Sequence, residues 1–291
     1  MMRTAVLSLL LFASLALAGG AHAEQFTFTV QSDLHLEFAR EICLEALKKA
    51  GVDARFEPFP VAPERRLAAE MASGKLHLAF LPPSVQRLLP EGFASVEDIR
   101  IPLERGLLSY RVCLLRGAVP ELLKDVRTLD DLKRVTVGQG FGWGDVDVYK
   151  AAGVPVVEVP FTSPSDPLRA LAAGHFDVLP LGADEYAGFL DIARQEGYGL
   201  AADRHLVIHY PWYRYVWVSR TAPDAGFLLE ALTRGLDIVA ADGSFVSIYE
   251  KYKGRFDPAS LRGRTVIDLP SPYAREGDIP PRYRHLLIVP R

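Results

Sequence analysis

The turn over residues 138–145 is the stretch of the chain best suited to bind a polar or anionic molecule. It reads GQGFGWGD, so that glycine alternates with other residues up to Asp145. Glycine lets backbone N–H groups approach a ligand, and a helix that begins at such a turn favours a negative charge. Trp143 stands where a dinucleotide fingerprint needs its third glycine, and the Lys-Ser/Thr pair of a P-loop is missing. We therefore predict ligand contacts from Gly142, Trp143 and Gly144; the alternative is a helix entry capped by Asp145, with Trp143 as packing.

Hydroxyl and carboxylate side chains follow the next two apolar runs in the same half of the chain. Ser163 and Ser165 come after the first of these runs, and Asp184 and Tyr186 come after the second. Hydroxyl groups bind ligand oxygens, and a carboxylate at the end of a strand can hold an ammonium group. The same residues suit the capping of the helices that follow, so both interpretations stay open.

Four residues in the first third of the chain are the corresponding candidates: Asp33, Arg66, Ser84 and Arg87. Arg87 suits a bidentate contact with a carboxylate, and Ser84 places a hydroxyl nearby. Arg66 and Arg87 are equally compatible with solvated surface positions. Asp33 either faces a ligand or caps a helix.

Tyr110 and an aromatic cluster over residues 212–217 lie in two further apolar runs. Aromatic side chains there could form the wall around a ring-bearing or cationic ligand. Packing in the core and at a hinge is the competing interpretation, because alternating aromatic residues on a strand more often serve that purpose. We include Tyr110 among the candidate ligand contacts.

The sequence has no pattern of a catalytic or metal site. Ser163 and Ser165 lack a G-x-S-x-G setting, and the histidines are scattered at spacings that metal sites do not use. We therefore predict a protein that is not an enzyme and that needs no metal or cofactor. Cys43 and Cys113 are either a disulfide or buried free thiols, and we favour buried thiols because both lie among apolar residues.

The candidates fall into two halves of the chain that repeat one pattern. Ala-Gly-Val at 50–52 opens an apolar run that ends in Pro-Phe at 58–59, and Ala-Gly-Val at 152–154 opens a run that ends in Pro-Phe at 160–161. A second match aligns Gly74 with Gly174. Each copy predicts strand, helix, strand, helix and strand, an order that is typical of a largely parallel sheet.

This order predicts an α/β protein with two lobes, each a mostly parallel sheet flanked by helices. Apolar runs near 99–115 and 206–218 are interpreted as the two crossover strands between the lobes. We expect lobe 1 to comprise residues 24–104 and 211–291, with an irregular C-terminal tail, and lobe 2 to comprise residues 105–210. Two crossovers form a hinge, and the cleft between the lobes is where a ligand would bind.

Residues 1–23 have the features of a secretory signal peptide. Arg3 precedes an apolar run from Ala5 to Ala18, and an A-x-A site predicts cleavage after Ala23. The run is shorter than the ~20 residues that span a bilayer. We therefore expect an exported, periplasmic protein. Its net charge of −3 argues against a nucleic acid or an anionic membrane as the partner.

Four stretches of the chain resemble the type II periplasmic solute-binding proteins, especially the family 3 (amino-acid-type) substrate-binding proteins of ABC transporters. They are residues 63–76, 101–111, 172–177 and 242–252. The resemblance implies two lobes that close over a small solute and deliver it to an inner-membrane transporter. The chain departs from the family pattern at residues 81–87, which read LPPSVQR where a Thr-x-Glu-Arg-like segment is usual, and at His77, where an acidic residue is usual.

The pattern and the resemblance together predict an exported, monomeric solute-binding protein that captures a small polar solute by hinge closure and presents it to an ABC transporter. A carboxylate or other anionic group on the solute is compatible with Arg87 and with the turn over 138–145. One alternative is an enzyme on the same scaffold, such as a small-acid dehydratase that uses Asp184 or Glu185 as acid or base. A second alternative is a periplasmic ligand-sensing partner of a signalling system.

Overall fold

The computed structural model describes residues 25–89 and 94–290. Two mixed β-sheets, each flanked by helices, form the two lobes, and the predicted α/β fold class is confirmed. The predicted signal peptide over residues 1–23 lies outside the described residues. Within the described ranges, no helix is both long and apolar enough to cross a membrane.

The first lobe begins with one copy of the repeated unit and a short additional strand. Its elements are β1 (Phe26–Gln31), α1 (Glu37–Lys49), β2 (Ala54–Phe59), α2 (Glu64–Ala72), β3 (Leu78–Leu81) and β4 (Val96–Ile99). Strand β1 pairs in parallel with both β2 and β3. This arrangement brings the carboxyl ends of the three strands, and the loops that follow them, to one edge of the sheet.

The second lobe contains the other copy of the repeated unit. Its elements are β5 (Tyr110–Arg116), α3 (Leu129–Leu132), β6 (Val137–Gly140), α4 (Asp145–Ala152), β7 (Val156–Val159), α5 (Ser165–Ala172), β8 (Val178–Gly182), α6 (Tyr186–Gln195), β9 (Leu200–Ala202) and β10 (Leu206–His209). Strand β6 pairs in parallel with β7 and β8, as β1 does with β2 and β3. Strand β5 runs antiparallel to β8, β9 and β10.

The chain then returns to the first lobe with β11 (Tyr215–Ser219), α7 (Ala225–Ala241) and α8 (Ser244–Lys253). The last strand is β12 (Thr265–Asp268). Strand β11 lies antiparallel between β3 and β4, which gives the first sheet the order β2-β1-β3-β11-β4. Helices α7 and α8 pack against α1 on one side of this sheet.

The C-terminal tail is divided between the lobes. Strand β12 pairs in parallel with β10, so it extends the second sheet, whose order is β12-β10-β5-β8-β6-β7. Tyr283 and Leu286 pack farther along the chain into the core of the first lobe. The assignment of all of residues 211–291 to lobe 1 is therefore wrong for β12, because this short strand pairs with the open edge that β10 presents.

Glycines with left-handed backbones end equivalent helices in the two lobes. Gly51 follows α1 and Gly153 follows α4, with φ values of +81° and +71°. Gly74 follows α2 and Gly174 follows α5, with φ values of +77° and +80°. A positive φ strains any residue with a Cβ atom. The matches found in the sequence therefore mark a backbone turn that both lobes need.

The two cysteines are buried free thiols in different lobes, as predicted from the apolar residues around them in the sequence. Cys43 lies in the core of the first lobe and Cys113 in a core cluster of the second. Burial raises the pKa of both thiols above the usual range. Each cysteine therefore acts as a small apolar side chain.

Candidate functional site

Arg87 reaches from the first lobe to the second. It lies at the end of the turn after β3, and its guanidinium donates a hydrogen bond to the carbonyl oxygen of Gly142 at 2.7 Å. Its Nε atom also lies 3.7 Å from the Asp147 carboxylate on α4. About a quarter of the side chain is exposed (26%). Two of the predicted ligand residues, Arg87 and Gly142, thus meet each other across the cleft.

Ser84 and Gly144 form the closest approach of the two lobes at this point. Ser84 is fully buried in the turn after β3, and Gly144 directly precedes α4. A Cβ atom on Gly144 would lie 2.3 Å from the Ser84 side chain and 2.9 Å from the Arg87 guanidinium. Only a residue without a side chain fits at position 144 in this closed arrangement.

Arg111 and Asp145 form a buried ion pair beside this contact. Nη2 of Arg111 lies 2.7 Å from Oδ1 of Asp145, and the hydroxyl of Tyr210 donates to the same oxygen at 2.6 Å. The guanidinium carbon lies 5.0 Å from the centre of the Tyr210 ring. Asp145 is the first residue of α4 and makes no capping hydrogen bond. Its interpretation as a helix cap is therefore wrong: Arg111 and Tyr210 bind its carboxylate.

A second ion pair joins the two crossovers between the lobes. Glu104 on the outgoing crossover pairs with Arg214 on the return crossover, and both side chains are largely buried. Burial raises the pKa of Glu104. Burial also acts to raise the pKa of Glu185 after β8, but the cations Arg214 and Arg111 outweigh it and hold that pKa below its usual value.

Asp184 is buried between its own lobe and helix α8 of the other lobe. Its side chain is only 3% exposed, and Oδ2 lies 3.9 Å from Nζ of Lys253. The hydroxyl of Tyr249 donates to the same oxygen at 3.5 Å. Burial raises the pKa of Asp184 to about 7, since Lys253 compensates for only part of the lost hydration. The interpretation of Asp184 as a helix cap is wrong, because α6 has no side-chain cap.

Glu64, the first residue of α2, belongs to the same electrostatic environment. Burial raises the pKa of its carboxyl group to about 7, and the nearby cation Arg87 lowers it only in part. Asp145 of the other lobe adds repulsion in the same direction as burial. Glu64 and Asp184 are therefore two cleft carboxyl groups that exchange protons near neutral pH.

We call these residues the interlobe cluster. Its members are Glu64, Ser84, Arg87, Glu104, Arg111, Asp145, Asp184, Glu185, Arg214 and Lys253. Five of its polar atoms are buried without a hydrogen-bond partner among the described residues. These atoms are Glu64 Oε2, Ser84 Oγ, Glu104 Oε2, Arg111 Nε and Asp184 Oδ1. A buried polar atom without a partner costs about 1–3 kcal/mol, so this group of atoms lacks hydrogen bonds that buried polar groups normally make.

Several candidates from the sequence bind to their own lobe instead. The Asp33 carboxylate accepts a hydrogen bond from Gln31 at 2.6 Å and does not cap the turn that follows. Arg66 is more than half exposed, pairs with Glu70 at 3.8 Å and lies over the ring of Phe59. Both are therefore explained by local contacts of the first lobe.

The two serines of lobe 2 also have local partners. The backbone N–H of Ser163 donates to the carboxylate of Asp166 at 2.9 Å, and α5 has no side-chain cap, so the interpretation of the serine hydroxyls as helix caps is wrong. The hydroxyl of Ser165 donates to Glu196. Among the described residues, neither serine makes a hydrogen bond to the first lobe.

The three aromatic candidates pack within the protein to different degrees. Tyr110 is buried, and its ring lies 4.8 Å from that of His209. Tyr186 packs beside the core of the second lobe. Trp143 is half-buried, and its indole meets the ring of Phe161 edge to face at 4.8 Å. Only Trp143 belongs to the turn that contacts the other lobe.

Several charged members of the cluster were not predicted from the sequence, above all Glu104, Arg111, Arg214 and Lys253. Three of them interrupt the apolar crossovers: Glu104 and Arg111 on the outgoing one and Arg214 on the return one. A charged residue inside a buried strand needs a partner, so this pattern could have indicated them. Lys253 is the last residue of α8 and lies in a polar stretch that is typical of an exposed helix end. Nothing in the sequence therefore indicated its buried position in the cluster.

Comparisons with known proteins establish the fold. No protein-family model matches the sequence, and no curated protein matches it. An ancestral arginine-binding protein bound to glutamine has a similar structure, with a TM-score of 0.53, 20% sequence identity and coverage of 79% of this chain and 98% of that one. At identities this low the likeness concerns the fold and does not extend to the ligand.

Two further solved structures show the same likeness. One is a periplasmic His/Glu/Gln/Arg/opine family-binding protein from Silicibacter pomeroyi in complex with lysine (TM-score 0.53, 14% identity, 79% and 97% coverage). The other is an amino acid ABC transporter substrate-binding protein from Streptococcus pneumoniae bound to L-arginine (TM-score 0.54, 12% identity, 80% and 95% coverage). The chain thus has the two-lobed fold of type II periplasmic binding proteins, and the resemblance inferred from the sequence is confirmed at this level.

Proposed function

We propose that the chain is a periplasmic solute-binding protein that captures a small polar solute between its lobes. The observation that carries this proposal is the interlobe cluster, to which both lobes contribute buried polar atoms without partners. Donors and acceptors are both present, since Arg111 Nε is a donor and Glu64, Glu104 and Asp184 provide acceptors. A solute that carries both an acidic and an amino group fits such a mixed site.

Hinge closure would provide the mechanism. The Glu104–Arg214 pair joins the two crossovers, while Arg87 and Lys253 reach from lobe 1 to acceptors on lobe 2. A solute that contacts both lobes binds the closed state more strongly than the open one and shifts the population toward closure. The lobe boundaries expected from the sequence, 24–104 with 211–291 and 105–210, describe these moving parts, except that β12 moves with lobe 2.

The partner in this proposal is an inner-membrane ABC transporter that recognises the closed monomer. The similar structures support this choice, since one of them is an ABC transporter substrate-binding protein. A ligand-sensing membrane protein could recognise the same closed shape and remains the alternative partner. Purification of the exported protein from membranes with its bound partner would distinguish the two.

An enzyme on the same scaffold is the second candidate function, and one observation favours it. Asp184 is a buried cleft carboxyl group whose pKa is raised to about 7, as a general acid or base would need. Burial against α8 accounts for this pKa without any catalytic role. Turnover of a bound solute that is lost in Asp184→Asn would support the enzyme, and binding without turnover would exclude it.

The test of solute binding is a thermal-shift screen of the mature protein after removal of any bound ligand. Amino acids, organic acids, polyamines and sugars form the panel. A solute at 100 times its Kd adds about 2.7 kcal/mol to the free energy of unfolding if it binds only the folded state. We expect a selective rise in melting temperature with one chemical class, and a flat response across the panel would contradict the proposal.

Two serine variants then test whether the interlobe cluster is the binding site. Ser84 and Ser95 both have buried hydroxyls without a partner, but only Ser84 belongs to the cluster. We expect Ser84→Ala to weaken binding of the solute about fivefold to tenfold, which corresponds to the loss of one hydrogen bond. The matched control Ser95→Ala should leave the affinity unchanged. Equal affinities in the two variants would place the site elsewhere.

A further inference from the structure

The C-terminal tail, residues 254–290, crosses between the lobes twice more after the two crossovers. It leaves α8 of lobe 1 and packs on lobe 2, where Leu261 and Leu269 are buried in apolar clusters. It then returns to the core of lobe 1, which contains the tail residues Ala274, Ile279, Tyr283 and Leu286. Among the described residues, four segments of the chain therefore join the lobes, two more than the sequence predicted.

The last of these segments is short and stiff. Only residues 270–273 lie between Leu269 in lobe 2 and Ala274 in lobe 1, and two of the four are prolines, whose φ angles are fixed. The hydroxyl of Ser271 accepts hydrogen bonds from the backbone N–H groups of Tyr273 and Ala274 at 3.3 and 3.2 Å, which folds the segment into a turn. Even when fully extended, it would span no more than about 18 Å from Leu269 to Ala274.

Tyr273 in this segment contacts Arg87 of the interlobe cluster. Its hydroxyl donates to Oδ2 of Asp147, the carboxylate oxygen that lies 3.7 Å from Nε of Arg87. The Arg87 guanidinium carbon lies 5.8 Å from the centre of the Tyr273 ring, within the range of a cation–π contact. The same ring meets that of Trp212 on the return crossover at 6.2 Å. The segment therefore lies between the return crossover and the place where the lobes meet.

The end of the tail binds the outgoing crossover at its turn. Arg105 and Gly106 both have left-handed backbones there, with φ values of +56° and +81°. The backbone N–H of Ile288 donates to the carbonyl oxygen of Arg105 at 2.8 Å. Nε of Arg105 in turn donates to the carbonyl oxygen of Leu286 at 3.0 Å. The tail thus contacts both of the crossovers about which the lobes would move.

We propose that the C-terminal tail is a strap that limits the opening of the lobes, and that Tyr273 fixes the position of Arg87 in the closed state. A connection at the hinge axis only bends when the lobes open, whereas a connection nearer the cleft must lengthen. The strap would keep most molecules closed, and the apparent affinity of a solute that prefers the closed state rises with the closed fraction. This inference rests on the proposed function, since it takes the lobes to be mobile.

A longer segment tests the strap, because both of its anchors stay in the cores of the lobes. Gly-Ser-Gly-Ser is inserted after Pro270, and the same insertion after Gly263 is the matched control. Gly263 is an exposed residue between Leu261 and β12, which both pack on lobe 2, so the control lengthens no crossing. Nitroxide labels on Lys48→Cys and Asp130→Cys, at exposed positions of the two lobes, report the interlobe distance by double electron–electron resonance. The native cysteines are buried and stay unlabelled.

We expect one narrow interlobe distance for the native sequence and for the control insertion. The insertion after Pro270 should broaden the distribution toward longer distances. Tyr273→Leu should raise the ratio of open to closed molecules about tenfold, since it removes a hydrogen bond to a carboxylate and a cation–π contact. Tyr252→Leu is its matched control and should leave the ratio unchanged. The Tyr252 hydroxyl donates to Glu41 at 2.5 Å and Lys251 lies over its ring, but all three residues belong to lobe 1.

Three results would contradict the proposal. A native distribution as broad as that of the insertion after Pro270 would overturn the strap and leave hinge closure intact. Equal shifts in Tyr252→Leu and Tyr273→Leu would overturn the role of Tyr273. One narrow distance shared by all the variants would mean that the lobes do not move, and would overturn the strap together with hinge closure.

Discussion

The two lobes share one folding unit but contribute opposite chemistry to the contact between them. Lobe 1 supplies long donors, since Arg87, Lys253 and Tyr249 all reach across the cleft. Lobe 2 supplies acceptors close to its backbone: the carbonyl of Gly142 and the carboxylates of Asp147 and Asp184. The repeated unit therefore gives the two lobes similar backbones. The contacts that close the cleft come from side chains that differ between the lobes.

The cores of the lobes also differ. Lobe 1 has one continuous core, in which α1 packs so closely on α7 that a Cβ atom on Gly235 would lie 2.0 Å from the carbonyl oxygen of Ala46. The described part of lobe 2 has three smaller apolar clusters. Helices α7 and α8, which lie outside the repeated unit, pack on α1, and α8 carries two of the three long donors, Tyr249 and Lys253.

The largest effect is expected where lobe 1 is packed most tightly. Gly235→Ala should lower the free energy of unfolding by about 3 kcal/mol, because backbone atoms of α1 must move to admit the methyl group. Chemical denaturation measures this change. Gly226→Ala on the same helix is the matched control, since nothing lies within 4 Å of the added atom. Equal stabilities of the two variants would show that α1 and α7 are farther apart than the structure has them.

The second prediction separates closure of the lobes from their stability. Gly144→Ala adds a methyl group that collides with Ser84 and Arg87 of the other lobe, although its own backbone angles suit alanine. We expect small-angle scattering to show a larger radius of gyration, and solute affinity to fall about tenfold or more, since an overpacked contact costs about 1–3 kcal/mol.

Gly188→Ala on α6 of the same lobe is the control, because open space surrounds its added atom. Its scattering curve should match that of the wild type. A Gly144→Ala protein that scatters like the wild type and keeps its solute affinity would contradict the closed contact described above.

The third prediction concerns pH. The pKa values of Glu64 and Asp184 are raised to about 7 in the closed, folded protein, mainly by burial, so this state binds more protons than an open or unfolded one. Their contribution to stability is therefore complete below the ordinary pKa of a carboxyl group and is lost as the pH rises toward and through 7. We expect the free energy of unfolding and the closed population to fall between pH 5 and about pH 8.

Amide variants identify the carboxyl groups responsible. Asp184→Asn should make the pH profile of the unfolding free energy less steep, because the amide does not titrate and only Glu64 still contributes. Asp191→Asn, which changes an exposed carboxylate on the same lobe, should leave the slope unaltered. A profile that rises with pH in the wild type, or one that Asp184→Asn does not change, would show that burial of Asp184 is not the cause.

The smallest effect is expected from reduction. Because Cys43 and Cys113 are free thiols in the cores of different lobes, dithiothreitol should leave the melting temperature unchanged. Thiol-reactive reagents should modify the cysteines only after unfolding, since buried thiols are protected and their pKa values are raised. A drop in melting temperature on reduction would mean that a disulfide forms between the lobes or between chains.

The sequence alone determined the repeated unit, the fold class and the two crossovers. Hydrophobic periodicity and glycines such as Gly74 and Gly174 are local properties, and a local pattern is sufficient to predict strands, helices and their ends. The resemblance to type II periplasmic binding proteins rested on four stretches of the sequence, residues 63–76, 101–111, 172–177 and 242–252, and on their order and spacing. Ser84 and Arg87 were selected from the sequence as candidate ligand residues, which stays a prediction, and their contact with the turn over 138–145 was not predicted.

Only the tertiary structure decided which charges share the cleft. Arg111 with Asp145, and Lys253 with Asp184, are paired by lobes and helices that lie far apart along the chain. The same structure assigned β12 to the second sheet and gave Ser163 and Ser165 partners within their own lobe. Burial and charge pairing depend on the distances between segments that lie far apart in the sequence. Those distances are defined only in the folded chain, so a sequence pattern does not predict them.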